Sequence, residues 1–301
     1  MKVYRFSIII PHKNIPELLI RCINSVPKRD DIQIIVVDDN SKDADTYINK
    51  YPILSRPNIE FYSSKEGKGA GFVRNIGLDH AKGEWLLFSD ADDIFTDRFD
   101  EILKIIEADT ESDIIYFDVE SRDSDTFAVT NESEWISNKI KDLAHNGVTD
   151  QNKYGMLTPW SKAISHQLVK EHHIRFEVVP CSNDTAFSTF ANFYAKKVRA
   201  LTIPGYCWMQ RQGSLWRTKD YSWYIIRMEV LARLACFMKE HDDKAGYEYF
   251  SVSAQKFMND LAKISKIQHV KANFKYGMIM KDYGVIFKHI PYLILHYARI
   301  L

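Results

Sequence analysis

A chain of 301 residues can bury a substantial core, as one large α/β domain or as one domain with a smaller appendage, so a mini-protein is excluded. Hydrophobic residues make up 46% and charged residues 27%, with only 12 Gly and 9 Pro, which is globular rather than disordered or collagen-like material. Lys plus Arg number 40 and Asp plus Glu number 40, and this zero net charge argues against a basic nucleic-acid-binding surface.

Tyr4 to Ile10 is an apolar, β-branched run closed by Pro11. From Pro16 to Val26, Leu18, Leu19, Cys22, Ile23 and Val26 recur at helical spacing. Gln33 to Val37 reads as a second buried strand, ended by Asp38-Asp39-Asn40-Ser41, and a helix is predicted over Asp43 to Tyr51. Ile59 to Tyr62 is a third strand. The loop after it carries Gly67, Gly69 and Gly71 and leads into a helix predicted from Phe72 to Ala81, which Gly83 stops. Trp85 to Phe88 is a fourth strand, broken by Ser89-Asp90-Ala91-Asp92-Asp93; Arg98 to Ala108 is helical, and Asp113 to Val119 is a fifth strand.

Strands alternating with helices of about ten residues imply right-handed crossovers and an α/β fold with a mainly parallel sheet flanked by helices. Ligands of such sheets sit beyond the carboxyl ends of the strands. The polar clusters Pro11 to Asn14, Asp38 to Ser41 and Ser89 to Asp93 all follow strand ends, so they are predicted to line one crevice. Beyond residue 120 the pattern turns helical, with helices expected near Glu134 to His145, near Pro159 to His172 and from Ser182. Two short strands are expected over Val198 to Ile203 and Tyr206 to Gln210, then long helices over Lys219 to Glu240 and Tyr247 to Ile267.

Asp90 and Asp92, one residue apart where a buried strand becomes loop, suit a hard divalent cation that leaves positions open for substrate phosphates. The same residues would also serve as an ordinary helix-capping, solvated turn. Asp39 is placed to accept a hydrogen bond from a base imino N–H, or to act as a turn aspartate. Arg74, one turn into its helix, can reach a diphosphate near the helix N-terminus, or remain a solvated arginine.

Four segments resemble the family-2 glycosyltransferases in order and spacing. They are Ser7 to Asn14 (SIIIPHKN), Ile34 to Ser41 (IIVVDDNS), Gly71 to Leu78 (GFVRNIGL) and Gly83 to Asp93 (GEWLLFSDADD). The resemblance is strong over residues 5 to 110, moderate to 215 and weak beyond. It implies an inverting enzyme of GT-A fold over residues 1–215, with a C-terminal helical region over 216–301.

Carried over residue by residue, the resemblance places Pro11, Lys13 and Asn14 against the nucleoside and makes Asp39 the base-binding carboxylate. Arg74 lies near the base or diphosphate. Asp90 and Asp92 form the DxD motif, with Asp92 the direct ligand of Mn²⁺ or Mg²⁺ and Asp90 the partner of the ribose or sugar, itself a second candidate metal ligand. Lys13 departs from the aromatic or small polar residue often found at its position. The family's general base, an aspartate that takes the acceptor hydroxyl's proton, falls on Asp184, which would otherwise be an N-cap or first-turn aspartate favoured by the helix dipole; Asn183 stands in place of the usual preceding acid. Trp160, in the Pro159-Trp160-Ser161-Lys162 segment, borders the acceptor side, where it either offers a face to a sugar or packs. Arg211 falls where related enzymes carry a loop that closes over the diphosphate, as a phosphate contact or as a solvated arginine.

No histidine has metal-ligand spacing, and Walker, GxSxG and full GxGxxG motifs are absent. Cys22, Cys181, Cys207 and Cys236 form no CxxC pair, so reduced thiols are expected. No signal peptide is expected, and no uncharged stretch reaches the roughly 18 residues a bilayer span needs. The tail from Val270 to Leu301 carries Lys271, Lys275, Lys281, Lys288 and Arg299 against Asp282, among aromatic and aliphatic residues. It suits peripheral contact with an anionic membrane, or packing on its own domain or on the mate in a homodimer. The expectation is a cytoplasmic, metal-dependent transferase. It would move a sugar from a nucleotide-sugar donor, UDP-linked first, to a saccharide or lipid-linked acceptor in cell-surface polysaccharide assembly. A nucleotidyltransferase and a catalytically silent nucleotide-sugar-binding protein are the alternatives.

Overall fold

In the computed structural model, which describes residues 3–211, 220–282 and 284–285, the first apolar run is β1 (Phe6–His12), and Pro16 opens α1 (Pro16–Ser25). Proline suits that first helical position because its fixed φ is already helical and its missing N–H would have had no partner there. β2 (Ile32–Asp39) is buried along its whole length, as a strand covered on both faces must be. The helix expected over 43–51 shrinks to a 3-10 turn and α2 (Tyr47–Lys50). Asp43, at φ 57, and Pro52 bound that segment on either side.

β3 (Ile59–Ser64), α3 (Ala70–His80), β4 (Trp85–Phe88), β5 (Ile94–Phe95), α4 (Phe99–Ala108) and β6 (Ile114–Asp123) follow. Then come β7 (Val129–Thr130), α5 (Glu134–Asn146), β8 (Lys162–Ser165), α6 (His166–Glu171), α7 (Asn183–Tyr194) and β9 (Val198–Gln210). The strands form one sheet in the order β3-β2-β1-β4-β8-β6-β9-β5, with β7 on β6. β3, β2, β1 and β4 are mutually parallel, β8 runs antiparallel between β4 and β6, and β6 and β9 are parallel. This is the expected α/β architecture.

Two further expectations need correction. The helix predicted over 159–172 begins as β8, because Pro159 disfavours helical backbone at the residue before it and the left-handed Ser161 (φ 62) interrupts any helical run, and only α6 is helical. The two short strands near 198–210 are one strand, β9, whose register against β6 shifts around Asp118, opposite Pro204. Proline has no N–H for a ladder bond, and the irregularity accommodates it.

The described residues divide into two compact units, 3–179 with 183–211, and 180–182 with 220–285. The first holds the sheet, its core built from β1, β2, β4 and β6 with α1, α3, α4 and α7. The second contains α8 (Tyr221–Glu240), α9 (Lys244–Ile264) and α10 (Lys266–Met280), each capped by a side-chain oxygen of Asp220, Asp243 or Ser265. No helix among the described residues is long and apolar enough to cross a membrane. Of the basic tail, Lys271 and Lys275 lie on α10, where Lys275 pairs with Glu229 at 2.6 Å. Lys288 and Arg299 lie outside the described residues.

α3 must lie close to β1 for Arg74 to face the strand ends. Gly77 permits it, since a Cβ there would run into the side chain of Ile9. Gly77→Ala is therefore expected to lower unfolding stability by ~1–3 kcal/mol, the usual range for overpacking, measured as a fall in the urea midpoint at unchanged slope.

Candidate active site

The ends of β1 and β2 are tied together by polar bonds. Asn14, at φ 56, donates its N–H to Ser41 Oγ at 2.7 Å and accepts from the Lys42 N–H through Oδ1 at 2.9 Å. Lys13 Nζ donates to Asp39 Oδ2 at 3.0 Å, and the Gly69 N–H reaches both Asp39 oxygens at 3.2 Å. Asp39 is thus a buried carboxylate held by a cation just past β1 and an amide from the glycine loop. Beneath it, His12 is fully buried. Its Nε2 accepts from the Ile15 N–H at 3.2 Å, so Nδ1 carries the proton and donates to Asp38 at 2.7 Å. Burial works against the Asp38 charge, yet the bonds from His12 and Ser41 hold its carboxyl below the ordinary value.

Four carboxylates with different partners surround the end of β4. Asp93, 2% exposed, accepts from the Tyr206 hydroxyl at 2.6 Å and the Met209 N–H at 2.7 Å. Burial, reinforced by the charges of Asp92 and Asp90, pushes its pKa well up. Asp90 Oδ1 accepts from Arg74 at 2.5 Å, and the other arm of Arg74 donates to Asn183 Oδ1 at 2.8 Å. Burial raises the Asp90 pKa; Arg74 opposes the shift, and Asp92 and Asp184 add to it. Asp92 Oδ2 accepts from Arg211 Nε at 2.6 Å, and its backbone carbonyl accepts from Arg21 at 2.8 Å. Asp184, in the first turn of α7, is close enough to bear electrostatically on both Asp90 and Lys162.

The packing beneath explains this convergence. Phe88, Phe176 and Phe187 form an aromatic cluster, with Phe176 stacked on Phe187 at 4.0 Å and Phe88 edge-on to both. This cluster fixes the start of α7 against the end of β4. Gly71 lets α3 approach Glu177 and Asn183, where a Cβ would strike the Glu177 carbonyl and the Asn183 side chain.

Pro11, Lys13, Asn14 and Asp39 therefore form one corner, and Arg74, Asp90, Asp92, Asp184 and Arg211 gather around the β4 end. Trp160 does not stand open to an acceptor. It is 6% exposed and stacks on Tyr206 at 5.0 Å and 9°, so the packing alternative is the one adopted. Trp160 supports the tyrosine whose hydroxyl also accepts the Asp90 N–H at 3.1 Å.

Residues 7–217 match the family model described as glycosyl transferase family 2. The chain belongs to that family. Among curated relatives of this glycosyltransferase, "Glycosyltransferase GlyG" of Streptococcus pneumoniae is 26% identical over 242 residues, 75% of this chain and 78% of GlyG. "Glycosyltransferase GlyA" of the same organism is 26% identical over 228 residues, 73% of this chain but only 32% of GlyA. Among solved structures, Staphylococcus aureus TarS 1-349 in complex with UDP-GlcNAc superposes with a TM-score of 0.70 at 18% identity, covering 92% of this chain and 81% of that one. The superposition shows that the two share a fold.

Sequence reading missed three participants. Tyr206 and Arg21 reach the β4 end from strand and helix positions that look purely structural in the sequence. Lys162, 1% exposed, is the third. Its Nζ donates to the Met156 carbonyl at 3.1 Å and lies 5.1 Å from the Tyr116 ring centroid. Lys162 stood in the Pro159-Trp160-Ser161-Lys162 segment, but nothing in that pattern indicated that its amine is sealed in the interior.

Burial pushes the Lys162 amine down to about 7, with the Asp184 charge pulling the other way. Between that value and the ordinary 10.5, the unfolded chain keeps a proton that the folded enzyme releases. The penalty for folding is therefore complete below pH 7 and disappears as pH rises toward 10.5. Lys162→Met is expected to be more stable than wild type near neutrality. Urea unfolding across pH 7 to 10 should show that advantage falling by up to about 1.4 kcal/mol per pH unit; a constant difference contradicts the burial argument.

Proposed function

We propose that this enzyme transfers a sugar, with inversion, from a UDP-linked donor to a saccharide or lipid-linked acceptor in cell-surface polysaccharide assembly. The observation that carries this reading is the Arg74 bridge. One guanidinium joins Asp90 at the β4 end to Asn183 at the start of α7, which sets Asp184 beside the donor-side carboxylates. TarS, with which the fold is shared, was solved with UDP-GlcNAc and with UDP, which supports a uridine nucleotide as the first donor to test.

In this reading Asp39 takes the base imino N–H, and Lys13, now on Asp39, turns toward the nucleotide. Asp184 takes the proton of the acceptor hydroxyl while that oxygen attacks the anomeric carbon from the face opposite the diphosphate. Arg74 steadies Asp90 against the sugar or ribose.

Asp90 and Asp92 fit a divalent cation. They are two crowded carboxylates, and Asp92 already presents an oxygen to a cationic group. Among the described residues no group of three or more His, Cys, Asp or Glu side chains could hold a metal alone, so Asp90 and Asp92 would hold the cation together with groups of the substrate. The cation supplies charge neutralisation for the departing nucleoside diphosphate.

Incubation with Mn²⁺ and a panel of nucleotide sugars, with an acceptor mixture, is expected to release nucleoside diphosphate, and EDTA is expected to abolish that release. Asp92→Ala is expected to do the same. Asp184→Asn should keep nucleotide binding while turnover falls by about 100- to 10,000-fold. Undiminished turnover of Asp184→Asn removes the general-base assignment.

A further inference from the structure

Each carboxylate of the Asp90-Ala91-Asp92 motif is engaged by its own guanidinium, and the two engagements differ in kind. Arg74, 6% exposed along its side chain, is held at both ends, on Asp90 at 2.5 Å and on Asn183 at 2.8 Å. Arg211, 27% exposed, sits at the end of β9 and meets Asp92 through Nε at 2.6 Å. Arg21 donates to the Asp92 carbonyl rather than to its carboxylate, with its other bonds on Ser124. Arg211 is thus the cation hydrogen-bonded to the Asp92 carboxylate among the described residues.

We infer that Arg211 is a built-in counter-cation, a positioning residue that competes with a divalent cation for Asp92 until a nucleoside diphosphate draws the guanidinium away. This rests on the reading of Asp92 as a cation ligand. A guanidinium in hydrogen-bond contact with Oδ2 and a metal ion on the same oxygen would put two like charges within a few ångströms of each other, so one excludes the other. The planar fork of arginine matches a diphosphate better than it matches one carboxylate oxygen. Exchange of partners leaves every charge compensated before and after: Arg211 on Asp92 in the free enzyme, Arg211 on the diphosphate and the cation on Asp92 in the complex. Two consequences follow. The free enzyme binds metal weakly, and nucleotide and metal strengthen each other's binding by the same factor.

The test is a Mn²⁺ titration of the full-length protein, with unbound Mn²⁺ read by electron paramagnetic resonance, first alone and then with UDP. Without nucleotide, Arg211→Gln is expected to bind Mn²⁺ roughly fivefold more tightly than wild type, the scale of a partly exposed ion pair. With UDP, the gain in Mn²⁺ affinity is expected to be smaller in Arg211→Gln than in wild type. Asp92→Asn should erase the Arg211→Gln effect in the double variant. Equal or weaker Mn²⁺ binding by Arg211→Gln overturns the inference, and so does a gain that survives Asp92→Asn. The arm with metal alone separates this from the donor assignment. Tighter Mn²⁺ binding by Arg211→Gln supports the counter-cation even if no nucleotide sugar is turned over.

Discussion

One buried carboxylate, Asp93, joins the parts of the sheet that build the site. Its two oxygens take the Tyr206 hydroxyl and the Met209 N–H, both on β9, while Asp93 itself follows β4. A buried carboxylate without such partners would cost several kcal/mol, so the two elements are held together by the need to satisfy it. With Asp93 turned inward, Asp90 and Asp92 are left for the crevice. Met209 fixes the end of β9, and Arg211 emerges two residues later beside Asp92. Trp160 stacks on Tyr206 and keeps its hydroxyl on target.

The site is therefore a balance of charges rather than an acidic cleft. Asp39 is matched by Lys13, Asp90 by Arg74 and Asp92 by Arg211. Such pairs contribute little net stability, because desolvation offsets much of their attraction. They keep the carboxylates in place and leave a cation beside each one. The neutral overall composition of the chain has a local counterpart here, since the acidic motif is nearly compensated by nearby arginines.

Asn183 shows why its position tolerates a neutral residue. Its carbonyl oxygen receives the second arm of Arg74, so the bridge to α7 survives without a second negative charge beside Asp184. An additional carboxylate there would compete with Asp90 for the same guanidinium.

The sequence by itself determined the alternation of buried runs and helices up to residue 120, and hence that the clusters after β1, β2 and β4 share one crevice. Those features are local: a β-branched run buried on both faces can be little other than a central strand. It also carried the four motif segments that identify the family. Tertiary structure alone decided which aspartate of the 90–93 run is structural, that Trp160 packs instead of facing a ligand, and that Lys162 is sealed in the interior. It likewise decided that the 162–165 segment, once Pro159 and Ser161 had interrupted the helix, pairs as β8 between β4 and β6. The physical reason is sequence distance. The partners of the Asp92 and Asp93 carboxylates lie 113 to 119 residues away, and no local pattern encodes which hydrogen bonds form once strands so far apart are brought into register.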